Sequence, residues 1–224
     1  MPISKPSNPQ DSFTLRDIVS PSLLTALFLL GVAYVFEHFA NIYAFAYSLR
    51  PTSNHVGDII LDAIPVIDLN FIIIEGALIT IVLGTLLVFS KPRYVLFSLK
   101  ALAVFIIIRA IFISLTHVGI HPDNIIPGLG FFDGVYLYLN FQTGLFFSGH
   151  TGLPFLFALI FWKKPLVRYI LLSVSFVFGV AVLFAHIHYS IDVFAAPFMA
   201  YGIFKITRYL FSRDYELIAP ASRA

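Results

Sequence analysis

Six apolar stretches run through this chain of 224 residues, at about Ser22–Tyr47, Leu69–Ser90, Tyr94–His117, Ser148–Trp162, Val167–His186 and Ser190–Phe211. About 20 helical residues, each rising ~1.5 Å, cross the roughly 30 Å of hydrocarbon in a bilayer. Five of the stretches have that length. The fourth is short and is expected to begin at the membrane surface. Lipid offers no partner to backbone N–H and C=O groups, so chains cross it as helices that pair these groups internally. The expected fold class is therefore all-α, a polytopic membrane protein with six transmembrane helices. Composition agrees, since 59% of residues are hydrophobic and only 12% charged, about half the charge of an ordinary soluble domain.

Basic residues orient such a protein, because Lys and Arg are retained on the cytoplasmic side. Lys5 and Arg16 precede the first stretch, and Lys91, Arg93 and Lys100 lie at or near the second connection. Lys163, Lys164 and Arg168 mark the fourth connection, and Lys205, Arg208, Arg213 and Arg223 close the chain. These twelve of the fourteen basic residues fall on one side, which predicts that both termini are cytoplasmic. The division that follows is a cytoplasmic or interfacial segment (1–21), a transmembrane catalytic domain (22–211) and a cytoplasmic tail (212–224). Within the first, Ser12–Val19 reads equally as an interfacial helix or a polar lead-in. No signal peptide is expected, because the first residues lack a basic n-region and a small-residue cleavage site. A net charge of +2 gives no reason to expect a nucleic-acid partner. The absence of cysteine excludes disulfides, thiolate catalysis and Cys-based zinc sites.

Two strings carry chemistry: FFSGHT (Phe146–Thr151) and HYSID (His188–Asp192). Gly149 permits close approach of a ligand to the backbone, and a helix starting at Ser148 presents unpaired N–H groups to an anion. Ser148, Gly149 and Thr151 are thus candidate phosphate-binding residues. His188 and Asp192 are four apart, and on a helix they would share a face. A carboxylate on one imidazole nitrogen fixes the tautomer and leaves the other as a nucleophile or base. From His150 the chain descends one span, turns at Lys163–Arg168 and rises to His188. One helical hairpin therefore returns both histidines to the same outer level.

SGH followed by H-x-x-x-D resembles the type 2 phosphatidic acid phosphatase superfamily. Its sphingomyelin synthase branch is closer, because FFSGHT and HYSIDV nearly match that branch's two signature strings. Arg109, in IIIRAIF, is similar to an arginine of that branch's third span. The Lys-x6-Arg-Pro of the hydrolytic members is absent, with Tyr43 where lysine would precede Arg50-Pro51, and Ala181-Val182 replace their Ser-Arg. Both departures are shared by the synthase branch, although its Gly-Asp upstream of Ser-Gly-His is Thr143-Gly144 here. The resemblance implies transfer of a phospho-headgroup from a phospholipid donor to a lipid hydroxyl, through a phosphohistidine. His188, oriented by Asp192, would attack phosphorus, and His150 would serve as acid and then base. Neither metal nor cofactor is implied. With water as acceptor the same site is a lipid phosphate phosphatase, the alternative reading. A non-enzymatic transporter or scramblase ranks third, since it needs no nucleophile, base and carboxylate set. The active site would face the periplasm, the cell exterior or a lumen. Oligomeric state is left open.

A charge inside a span is costly and functional by default, which makes Arg109 the candidate for the phosphoryl charge. A structural pair with Glu37 or Glu75 is compatible with that role, and both acids, with Tyr189, are candidate pocket residues. His186 and His188 would diverge by roughly 200° on a helix, which argues against their sharing a metal. His38, His55, His117 and His121 read as interfacial or structural, and Asp58, Asp62 and Asp68 as solvated loop acids.

Overall fold

The computed structural model describes residues 18–48, 55–116, 118–125 and 145–219, and all structural statements below concern these. Most of Ser12–Val19, and all of Arg50-Pro51, His117, Asp133 and Thr143-Gly144, lie outside them. The described residues form helices and connecting segments, with no strand.

The helices are α1 (Pro21–Ser48), α2 (Asn70–Phe89), α3 (Pro92–Leu115), α4 (Gly149–Ile160), α5 (Pro165–Phe184), α6 (Ser190–Leu210) and the short α7 (Ser212–Glu216), with a 3-10 turn at Leu61–Ala63. Pro opens α3 and α5, where its missing N–H costs nothing and its fixed φ suits the first turn. Four helices are long and apolar enough to cross a membrane: α1, α2, α3 and α5. α4 has only 12 residues, about 18 Å at the usual rise. α6 has 21 residues but carries Asp192, Lys205 and Arg208, which dilute its hydropathy.

α3 is the central helix, buried along most of its length. α1 lies against it through Ala26, Ala33 and Ala40, all buried and seven residues apart. Small side chains at that spacing let two helix backbones approach closely without a lipid-driven hydrophobic force. Ala40 meets Ala110 and Ile113 of α3 in this seam. Outward, Leu24, Phe28, Phe71, Phe176 and Phe198 are each more than two-thirds exposed. Apolar exposure on that scale suits a hydrocarbon solvent and would aggregate a water-soluble chain.

Opposite ends of the bundle are closed differently. At the end bearing Lys163 and Lys164, Lys100 is buried and pairs with Asp214 of α7 and with the Ser22 hydroxyl. Lys100 thus acts as a neutralised internal clamp rather than a free topogenic charge. At the other end three segments, 55–69, 118–125 and 185–189, meet. Ile67 N–H donates to the Phe184 carbonyl (2.8 Å) and Ile125 N–H to the Ala185 carbonyl (3.2 Å).

Candidate active site

The turn from α5 to α6 places His188. The N–H of His186 bonds to the Leu183 carbonyl and that of Ile187 to the Val182 carbonyl, each at 3.0 Å. This pair is the Schellman closure of a helix, which requires a left-handed residue between. His186 fills that position at φ 52°. The closure folds the chain back over the last turn of α5, so His188 lies inward, buried at 4% exposure.

α6 begins only at Ser190, so His188 precedes the helix and does not share a helical face with Asp192. The two meet for a different reason. Asp192 is the third residue of α6, and its Oδ2 reaches back to accept the Tyr189 N–H at 3.0 Å. A carboxylate there satisfies an orphan donor and favours the positive end of the helix. The same oxygen lies 3.4 Å from His188 Nδ1, with both side chains buried. A proton on Nδ1 serves that contact and leaves the lone pair on Nε2.

His150 comes from the first turn of α4. Its ring centroid is 6.1 Å from that of His188, at 68°. At that separation one nitrogen of each ring fits within about 3.5 Å of a shared reacting group. Phe178 of α5 supports His150 edge-on at 5.9 Å. The Ser148 N–H donates to the Asp192 carbonyl at 3.1 Å, which ties the start of α4 to the first turn of α6. Ser148 is fully buried and caps α4, accepting from the Thr151 N–H (3.4 Å) and hydroxyl (3.3 Å). The Thr151 carbonyl in turn accepts from Ser175 at 2.7 Å. Ser148 and Thr151 therefore hold the helix start in place, and their hydroxyls are engaged with each other.

Arg109 reaches this helix start from α3. A side chain on Gly149 would put its first carbon 3.4 Å from Arg109 Nε, so the guanidinium lies against the bare backbone. Nε donates to the Phe147 carbonyl (3.1 Å) and one terminal nitrogen to Glu37 Oε1 (2.9 Å). Glu37 is thus a partner of Arg109. Glu75 is half-buried on α2 beside Gly76, which packs under Phe178.

Asp58 is buried rather than solvated. Its Oδ2 accepts the Ser190 N–H at 2.6 Å, while Oδ1 accepts those of Ile60 and Leu61. Burial opposes its ionisation, but the N–H groups aimed at it outweigh that and hold its pKa below the ordinary carboxylate value. Two carboxylates therefore cap the start of α6, Asp58 from outside and Asp192 from within. Tyr189 is also buried. Its hydroxyl donates to the Gly119 carbonyl (2.9 Å) and accepts the Val56 N–H (3.3 Å). Burial raises its pKa, so the phenol stays protonated as that donor. No local sequence signal distinguishes Asp58 from its neighbours Asp62 and Asp68, because its partner is 132 residues away.

Two imidazoles, a carboxylate behind one of them and a guanidinium against a helix N-terminus form a constellation for attack on, and charge stabilisation of, a phosphoryl group. Residues 143–209, a little under a third of the chain, match the family model for PAP2 superfamily C-terminal. The matched span contains His150, His188 and Asp192 and runs from the start of α4 almost to the end of α6. No curated protein matches the chain. The family match supports an enzyme of the type 2 phosphatidic acid phosphatase superfamily, whose phosphatases and phosphotransferases act on lipid phosphates.

Proposed function

We propose that this chain is a sphingomyelin-synthase-like lipid phosphotransferase, working through a phosphohistidine at the outer or lumenal membrane face. The observation that carries the reading is the approach of His150 to His188, with Asp192 behind the one and Arg109 against the helix start that bears the other. In the first step His188 Nε2 forms a bond to phosphorus of the donor phospholipid. The bond from phosphorus to the glyceride oxygen breaks, and His150 gives that oxygen a proton. The products are a diglyceride and the headgroup phosphate on His188. In the second step His150 takes the proton of an acceptor lipid hydroxyl, whose oxygen attacks phosphorus and releases His188. Arg109 and the first N–H groups of α4 face the charge on the phosphoryl oxygens throughout.

Purified protein incubated with headgroup-labelled glycerophospholipid is expected to lose label slowly alone. With ceramide or diacylglycerol it should form a new labelled phospholipid. Rapid release of inorganic phosphate from phosphatidic acid, unchanged by either acceptor, would instead select the phosphatase.

The proposed topology has six spans and both termini in the cytoplasm. It rests on the basic residues at one end and on the reach of α4. With Lys163 at the cytoplasmic interface, 12 residues lift the helix start only about 18 Å. The site then lies recessed below the outer surface and opens to that side. The chain has no native cysteine, so single replacements report cleanly. Asp62→Cys should react with an impermeant thiol reagent added to intact cells, and Lys163→Cys should not. The opposite pattern would invert the site to the cytoplasm.

A further inference from the structure

The outer end of the bundle holds a second cluster of metal-ligating side chains, made by His121, Asp123 and His186. We propose that these three residues bind a divalent transition-metal ion of the Zn²⁺ class, which staples the 118–125 segment to the turn that carries His188. This inference is independent of the phosphotransferase reading, and the ion takes no part in its steps.

The first observation is where His186 stands. A Schellman closure favours glycine, because a Cβ in the left-handed conformation is strained. This chain has histidine there at φ 52°. A strained non-glycine residue held by its surroundings points to a use for its side chain.

The second is what the imidazole meets. His186 is 3% exposed, and neither ring nitrogen has a hydrogen-bond partner among the described residues. The Ile64 backbone comes near the ring without reaching hydrogen-bond geometry. A buried donor and acceptor left unpaired are costly, and an ion or a water is the usual reason for the exception.

The third is the convergence of ligands. One ligand atom from each of His121, Asp123 and His186 lies within 4.8 Å of the others. The two imidazoles meet edge-on, with centroids 4.8 Å apart at 89°. Metal–ligand bonds of about 2.0–2.2 Å require these atoms to close by roughly 1.5 Å. Asp123 is exposed and His121 half-exposed, so both are free to swing toward the fixed His186. The bond lost in that movement is the 3.2 Å contact from the Asp123 N–H to His121 Nδ1, which is solvent-exposed. Two imidazoles and one carboxylate suit Zn²⁺, Co²⁺ or Ni²⁺ over Mg²⁺ or Ca²⁺, which prefer all-oxygen shells. Water completes the coordination from the exposed side.

His186 pairs across the loops with His121, not along its own segment with His188. The ion would therefore rigidify the turn beside the active site while leaving His188 to Asp192. The test uses the untagged full-length protein in detergent, stripped with EDTA and desalted after addition of Zn²⁺ or Co²⁺. One equivalent of Zn²⁺ should be retained by metal analysis, and Co²⁺ should give a visible ligand-field band. Zn²⁺ should also raise the temperature of unfolding. His186→Asn keeps a residue that tolerates the left-handed conformation, and His121→Phe keeps the ring contact. Each should weaken binding at least about tenfold, since even outer-shell changes cost that much, and each should lose the thermal shift. Absence of retained Zn²⁺ would overturn the site and leave water as the occupant. So would retention unchanged in both variants, or retention lost only in His150→Ala or His188→Ala.

Discussion

His188→Ala is expected to abolish both steps with every donor, whereas His150→Ala should recover the first step, though not the second, with a donor whose leaving group needs no proton. The difference follows from the roles assigned to the two rings. Without His188 Nε2 no covalent intermediate forms, and the loss should reach about 10⁴-fold or more, as for a nucleophile in a hydrolase triad. General acid catalysis is worth about 10²–10⁴-fold, so His150→Ala should lose that much with a natural lipid donor. A p-nitrophenyl phosphoester departs as a stable phenolate, so with this donor His150→Ala should recover most of its first step. Phosphate should then accumulate on His188, where acid-labile label can be located by mass spectrometry. Label on His150, or equal rescue of both variants, would reverse the assignment. Asp192→Asn separates orientation from chemistry. It removes the charge that holds the Nδ1–H tautomer and lets an amide NH2 face the ring instead, so it should slow turnover while His188 remains the labelled residue.

Arg109→Met is expected to cost both stability and activity, and a double variant divides the two. Arg109 is buried and bonded to Glu37 Oε1 and the Phe147 carbonyl. Removing it strands the Glu37 carboxylate in an apolar setting, and breaking a buried pair from one side costs about 3–5 kcal/mol. Glu37→Gln in the same chain removes that stranded charge, so the double variant should unfold close to the wild-type temperature. Activity should stay low, by about 10²–10³-fold, because the cation against Gly149 is still missing where phosphoryl charge develops. A stable double variant with near wild-type turnover would make Arg109 a purely structural residue. Arg109→Lys keeps the charge but cannot serve Phe147 and Glu37 with one planar fork, and should fall between the two.

Some of this protein is written in one dimension. Hydropathy and helical rise are local properties, so the chain alone marks where helices lie, and the observed ends fall within a few residues of the apolar stretches. The strings at Phe146 and His188 are legible for the same reason, and the length of one hairpin brings their ends to one level. Packing decided the rest. That Asp192 meets His188 depends on a helix starting at Ser190 and a carboxylate reaching back from its third position, not on four-residue spacing along a helical face. That Arg109 bonds Glu37 follows from the small-residue seam that presses α1 onto α3, across 72 positions of sequence. Asp58 looked like any loop acid because its partner amide is 132 residues away. Along the sequence His186 only diverged from His188, and it meets His121 because a left-handed turn directs it there. Hydropathy and charge thus marked the helices and the solvent they suit, and two short strings marked the candidate reactive side chains. Which of those side chains touch was settled only in three dimensions, because burial forces polar groups to find partners wherever packing happens to bring them.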